Sequence, residues 1–314
     1  MKRLRFVVSL ITDDNDYQRQ QASAAQETAT RLGVDLQTLF AKNDAIYQSQ
    51  QLLDVIHGRA AGVDGILVEP AGRTAFPKVA QAAVGAGIAW VLINSEPDYL
   101  GELRSSGNVP VFAVSADNHE IGRIQGRQLS ALLPGGGSVL YIQGPSQSTV
   151  TEQRTAGMLE TKSRSINVRI LKSTNWTEEA GFHAVESWLR LSTARQEHID
   201  VVQAQNDFLV VGARRAIEEQ TAQPGRDHKS NMPFLGVDGL ARTGQAWVRQ
   251  GILAATVIVP PTASHALSAL VAAMKDRVHQ AERTLVAPES YPGPDELAAM
   301  SARQRSAGGD LKGS

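Results

Sequence analysis

Short apolar runs rich in β-branched residues alternate along this chain with longer stretches in which apolar and charged positions recur every three or four residues. The first pattern predicts buried strands and the second amphipathic helices. "RFVVSLI" leads to a helix over about 17–32, "VDLQTLF" to one over about 45–61, "GILVEP" to "FPKVAQAAVGAG", and "IAWVLIN" closes the series. After a polar break around "EPDYLGELRSSGNVP" and a strand "VFAVSAD", the alternation resumes with "HEIGRIQGRQLSALLPGGG", "SVLYIQG", "TEQRTAGMLETK", "VRILKST", "EEAGFHAVESWLRL" and "VVQA". It then runs through "FLVVGARRAIEE", "PFLGVDG", "TGQAWVRQ", "AATVIV" and "ASHALSALVAAMKDRV". Strands separated by helices call for parallel sheets covered on both faces. Two successive series predict an α/β protein of two doubly wound, Rossmann-like lobes. Residues 301–314, rich in Gly, Ser, Lys and Asp, are expected to form a disordered tail.

Composition narrows what such a chain does. With 314 residues, 42% hydrophobic and 20% charged, it has enough apolar sequence for two cores. A formal charge of -1 gives no electrostatic case for nucleic acid as a partner. There is no cysteine, which excludes thiolate catalysis and disulfides. No stretch reaches the roughly 20 apolar residues of a membrane helix, so no membrane insertion is expected. The basic start "MKRLRF" precedes a short apolar run closed by the acidic "DDND", which reads as a first strand rather than a secretory signal. A chain as given is then cytoplasmic, or has already been trimmed of a signal.

Open parallel sheets bind ligands beyond the carboxyl ends of their strands. Those corners carry Ser9 and "DDNDY", Glu69, Asn94 and Ser95 in the first series, and "QGPSQS", Asn175, Trp176, Asn206, Asp207 and Asp238 in the second, with Arg154 nearby. Each is accounted for singly as a cap or turn residue. As a set they suit a neutral polyhydroxyl ligand: amides and carboxylates pair with hydroxyls, arginine offers a rigid fork of donors, and an aromatic face covers C–H groups.

Catalytic templates are absent. There is no P-loop and no "GxSxG", and "PGGGS" at 134–138 precedes a strand, so it reads as a turn. The seven histidines show no close metal-ligand pair. Neither an enzyme, a metal site nor a cofactor is expected.

In "QAAVGAGIAWVLIN", "VSADNHEIGRIQGRQL", "VVQAQNDFLVVGARRAIEE", "PFLGVDG" and "GILAATVIVPP" the chain resembles type I periplasmic binding proteins of the ribose and galactose group, and the effector-binding body of lactose-repressor-like regulators. The resemblance covers nearly the whole chain, to about Glu289. It implies ligand contacts from Ser9, Asn15 and Tyr17, a pocket arginine at Arg154, an aromatic platform at Trp176, and hydroxyl-binding roles for Asn206 and Asp238. Asn206 would then face the ligand while Asp207 caps the helix that follows. The chain departs from the family at Asn94 and Ser95, where Asp and Arg are common, at Gln18, where an aromatic is frequent, and at Val259, where a Gln is common.

The resemblance further implies three crossings between lobes. One lobe would hold residues 1–115 and 260–285, and the other 116–259 and 286–300, with the ligand cleft between them. The implied activity is sugar binding by a monomeric, periplasmic component of an ABC transporter, closing around a monosaccharide and delivering it to a permease. The alternative is a cytoplasmic sugar or small-molecule sensor passing closure to a signalling partner: a kinase, a cyclase or a transcription regulator.

Overall fold

A computed structural model of the chain describes residues 3–58, 62–72, 74–146, 148–192, 194, 197–221 and 232–309. The chain divides into two compact units and passes between them after Ala116, Val259 and Val286. The first unit contains β1 (Arg5–Leu10), α1 (Asp16–Leu32), β2 (Asp35–Phe40), α2 (Ala45–His57), β3 (Gly65–Val68), α3 (Pro77–Gly85), β4 (Ala89–Ile93), α4 (Leu100–Ser106) and β5 (Val111–Ala116). The second contains α5 (Asn118–Leu132), β6 (Gly137–Gln143), α6 (Thr149–Thr161), β7 (Ile166–Lys172), α7 (Glu178–Leu189), β8 (Val201–Ala204), α8 (Asp207–Thr221), β9 (Phe234–Leu235), α9 (Gly244–Arg249) and β10 (Thr256–Ile258). The chain returns to the first unit for α10 (Thr262–Lys275) and β11 (Arg283–Val286), then ends in the second with β12 (Glu289–Tyr291) and α11 (Pro294–Gly309).

In the first unit the strand order is β2-β1-β3-β4-β5-β11, parallel throughout. Its inner strands β3, β4 and β5 are buried at every residue, as a sheet covered on both faces requires. Period-two alternation sends Val8, Leu67, Val91 and Phe112 to one core, with α1 and α10, and Val7, Ile66, Trp90 and Leu92 to the other, with α2, α3 and α4. The strand order reverses between β1 and β3, so this unit's ligand crevice is expected beside Ser9 and the residue after Val68. In the second unit β7-β6-β8-β9 is likewise parallel and reverses between β6 and β8. β10 and β12 form a separate antiparallel pair.

Two expectations fail for local reasons. The polar break before β5 contains α4, a two-turn helix held by the buried Leu100 and Leu103 three residues apart, a spacing too short to stand out among Pro97, Gly101 and Gly107. Residues 301–309, expected in a disordered tail, continue α11. The helix formers of "ELAAMSARQR" extend a helix anchored by the buried Leu297 and by Ser301, whose hydroxyl donates to the Leu132 carbonyl at 3.0 Å. Residues 310–314 lie outside the described residues.

Helices α7 and α8 touch through glycine. A Cβ on Gly212 would lie 1.9 Å from the Glu178 carbonyl oxygen and 2.8 Å from the Phe182 nitrogen, both rigid backbone of the facing helix. Gly212→Ala is therefore expected to lower unfolding stability by about 3 kcal/mol, the upper end of overpacking costs. A urea midpoint equal to that of the wild type would show that the two helices slide apart freely.

Candidate functional site

In the first unit, one hydrogen-bonded cluster gathers at the point where the strand order reverses. Glu69 follows β3, is only 6% exposed, and accepts from Gln18 Nε2 at 2.9 Å and from Asn94 Nδ2 at 3.0 Å. Asn94 Nδ2 also donates to the Tyr17 hydroxyl at 3.1 Å, while its Oδ1 accepts from the Ala116 N–H. Gln18 Oε1 accepts from the Ile11 N–H. Ser9 is fully buried, and its hydroxyl accepts from Gln48 Nε2, which also reaches the Glu69 carbonyl. Asn15 is the N-cap of α1, accepting from the Gln18 N–H at 3.0 Å. Ser95 is half-buried and makes no side-chain hydrogen bond to the described residues. Asn94 stands at φ +52°, a left-handed conformation that asparagine tolerates better than most residues.

Burial raises the Glu69 carboxyl above its ordinary range, and the Asn94 and Gln18 hydrogen bonds oppose that shift. Glu69 stands among the strand-end residues read from the sequence, as the carboxylate closing the otherwise wholly apolar "GILVE", whereas Gln48 on α2 left no such signal.

In the second unit Arg154 on α6 is 7% exposed. Its Nε donates to Asn118 Oδ1 at 3.0 Å and its Nη1 to the Gln205 carbonyl at 2.5 Å, at the end of β8. Its guanidinium carbon lies 5.8 Å from the centre of the Trp176 ring, within cation–π range. The Trp176 indole occupies the space above Gly144, where a Cβ would come within 2.1 Å of the ring. Part of Trp176 also packs against the core shared by β8 and α8. Asp238, at φ +109°, is pushed up to about 7 by burial, with Arg154 pulling it back. Strained backbone thus occurs at a strand end in each unit, where binding residues tend to accumulate.

The capping role expected of Asp207 falls to Asn206. Asn206 caps α8: its Oδ1 accepts from the Leu209 N–H at 2.8 Å, and its Nδ2 donates to the Trp176 carbonyl at 2.9 Å. Asp207 is not the cap. It is buried, accepting from Thr256 Oγ1 at 2.7 Å and the Gly239 N–H at 2.9 Å, so it ties β8 to β10 and to the loop after β9. Burial and the neighbouring Asp238 raise its carboxyl well above the usual range. Beneath this layer, Gln205 bonds Tyr141, Thr151, Thr155 and the Gly144 N–H, and Tyr141 donates to Gln125. This buried scaffold was invisible in the sequence because its glutamines fit the solvent face of a helix equally well.

A model described as "Periplasmic binding protein domain" matches residues 6–276. The chain belongs to the periplasmic binding protein family. It is 25% identical over 286 residues to the galactofuranose-binding protein of Escherichia coli, covering 90% of this chain and 86% of that one. It is 30% identical over 172 residues to the D-ribose/D-allose-binding protein of Pseudomonas aeruginosa, where the match covers 54% of this chain and only 51% of the relative. In fold it is similar to an ABC transporter periplasmic solute binding protein from Actinobacillus succinogenes with bound D-allose: TM-score 0.78, 22% identity, 92% of this chain and 97% of that one. Among the described residues no three His, Cys, Asp or Glu side chains are grouped to hold a metal ion, and no helix is long and apolar enough to cross a membrane.

Proposed function

We propose that the chain is the solute-binding component of an ABC importer, acting as a monomer in the periplasm and closing around one small polyhydroxyl molecule of the sugar class. The observation that carries this reading is the buried Arg154 guanidinium beside the Trp176 indole at the strand ends of the second unit, a donor fork next to a flat apolar face. That pairing suits a ring with hydroxyls on its edge and C–H groups on its face. Tyr17, Gln18, Asn94 and Ser95 of the first unit, with Ser9 and Asn15 supporting them, and Asn206 and Asp238 of the second supply the remaining polar contacts. Solute binding draws the two units into a closed state, stabilised by the difference in affinity between states, and the permease recognises that state. No bond is broken.

A thermal-shift panel of pentoses, hexoses, furanoses and polyols tests the reading, since a ligand of the native state raises the melting temperature. Trp176 gives the sharper check. With a ligand from that panel, Trp176→Phe is expected to lose most of the ligand-induced change in tryptophan fluorescence, and Trp176→Ala to weaken binding about tenfold or more, roughly 1.4 kcal/mol. A fluorescence change that survives in Trp176→Phe, with full affinity in Trp176→Ala, would reduce this residue to a packing role over Gly144.

A further inference from the structure

We propose that Glu69 selects a solute bearing a positive charge, so that the preferred ligand is a polyhydroxyl molecule with a protonated amine, an amino sugar or aminocyclitol. The inference rests on the polyol-binding reading and narrows it.

Hydrogen-bond direction carries the argument. The Ile11 backbone N–H can only donate, so the Gln18 atom facing it is Oε1, and Nε2 is turned to Glu69. The Ala116 N–H fixes Asn94 in the same way, turning Nδ2 to the other carboxyl oxygen. Glu69 therefore meets an amide donor on each oxygen, 2.9 and 3.0 Å away. A donor on each oxygen favours the carboxylate and opposes the upward pull of burial. Two neutral amides offset part of the desolvation of a buried charge but bring no opposite charge. Among the described residues no Lys, Arg or His forms an ion pair with Glu69, and it belongs to no metal-ligand group.

The position is as telling as the chemistry. Glu69 follows β3, which pairs with β1 where the strand order reverses, the place in such sheets where ligands sit. A neutral polyol would answer the hydrogen bonds of Glu69 and leave its charge, whereas an ammonium answers both.

The test is calorimetry at pH 7 with matched pairs differing only in an amino group for a hydroxyl: glucosamine and glucose, galactosamine and galactose, an aminocyclitol and myo-inositol. The amine member of at least one pair is expected to bind at least tenfold more tightly to the wild type. That preference should fall below threefold in Glu69→Gln, folded by circular dichroism, and drop at least threefold in Glu69→Asp, whose shorter side chain withdraws the charge. If Glu69→Gln does not fold, Glu69→Asp decides. A wild type that prefers the neutral members, or variants that keep the amine preference, would overturn the role of Glu69 and leave the polyol reading standing. If no member of any pair binds, this inference fails, and the thermal-shift panel with its pentoses, furanoses and polyols decides the polyol reading separately.

Discussion

Arg154→Ala is expected to weaken solute binding by about 2–5 kcal/mol, roughly thirtyfold to several thousandfold. The size follows from burial. The guanidinium is 7% exposed and held in one orientation by Asn118 and the Gln205 carbonyl, so the planar group is already ordered before a ligand arrives. Truncation removes that group and leaves two raised carboxyls, Asp207 and Asp238, without the cation that draws both downward. Arg154→Lys should recover part of the charge but not the planar fork, and so should bind between wild type and Arg154→Ala. Calorimetry on variants folded by circular dichroism is the measurement. An unchanged dissociation constant for Arg154→Ala would remove Arg154 from the binding surface and leave it as a strut between α5, α6 and β8.

The second large effect is in stability against pH, without ligand. Asp238 has a folded-state value of about 7, against about 3.9 for an unfolded aspartate. Between those values the folded chain holds a proton that the unfolded chain has lost. The favourable contribution is therefore complete below about pH 4 and disappears as the pH rises through about 7. Asp238→Asn replaces the group with a neutral amide of the same shape and removes this dependence. Its stability relative to wild type should climb between pH 4 and pH 7.5 by on the order of 3–4 kcal/mol, then level off. Asp207 is raised for the same first reason, burial, and adds in the same direction because each carboxyl disfavours ionisation of the other. Urea midpoints of wild type and variant at pH 4.5, 6, 7.5 and 8.5 provide the comparison, and a constant gap would mean that Asp238 ionises freely in the folded chain. Above pH 7 the same ionisation gives the strand ends of the second unit more negative charge, which favours a cationic solute over its neutral analogue.

What the amino-acid sequence determined by itself was everything that depends on local period. Apolar four- to seven-residue runs between amphipathic stretches dictate parallel strands covered by helices, because such strands have no wet face on which a polar residue could sit. Polar residues at or near the end of such runs mark the carboxyl ends of the strands; Ser9, Glu69, Asn94, Asn206 and Asp238 are placed there by that pattern, and parallel topology gathers them on one edge of each sheet. Tertiary structure decided what each of them does there. Asn206 and Asp207 are adjacent and both suited to cap α8, and the choice was made by Thr256, nearly fifty residues away, whose hydroxyl needed a buried acceptor and took Asp207. Glu69 is one acid among many in the sequence, and its charge became a feature only once the N–H groups of Ile11 and Ala116 had turned two amides toward it. Hydrogen-bond partners brought together by the fold leave no periodic trace in the chain. A local pattern can therefore say where polar groups lie at the strand ends, while their orientation and charge belong to the packed structure.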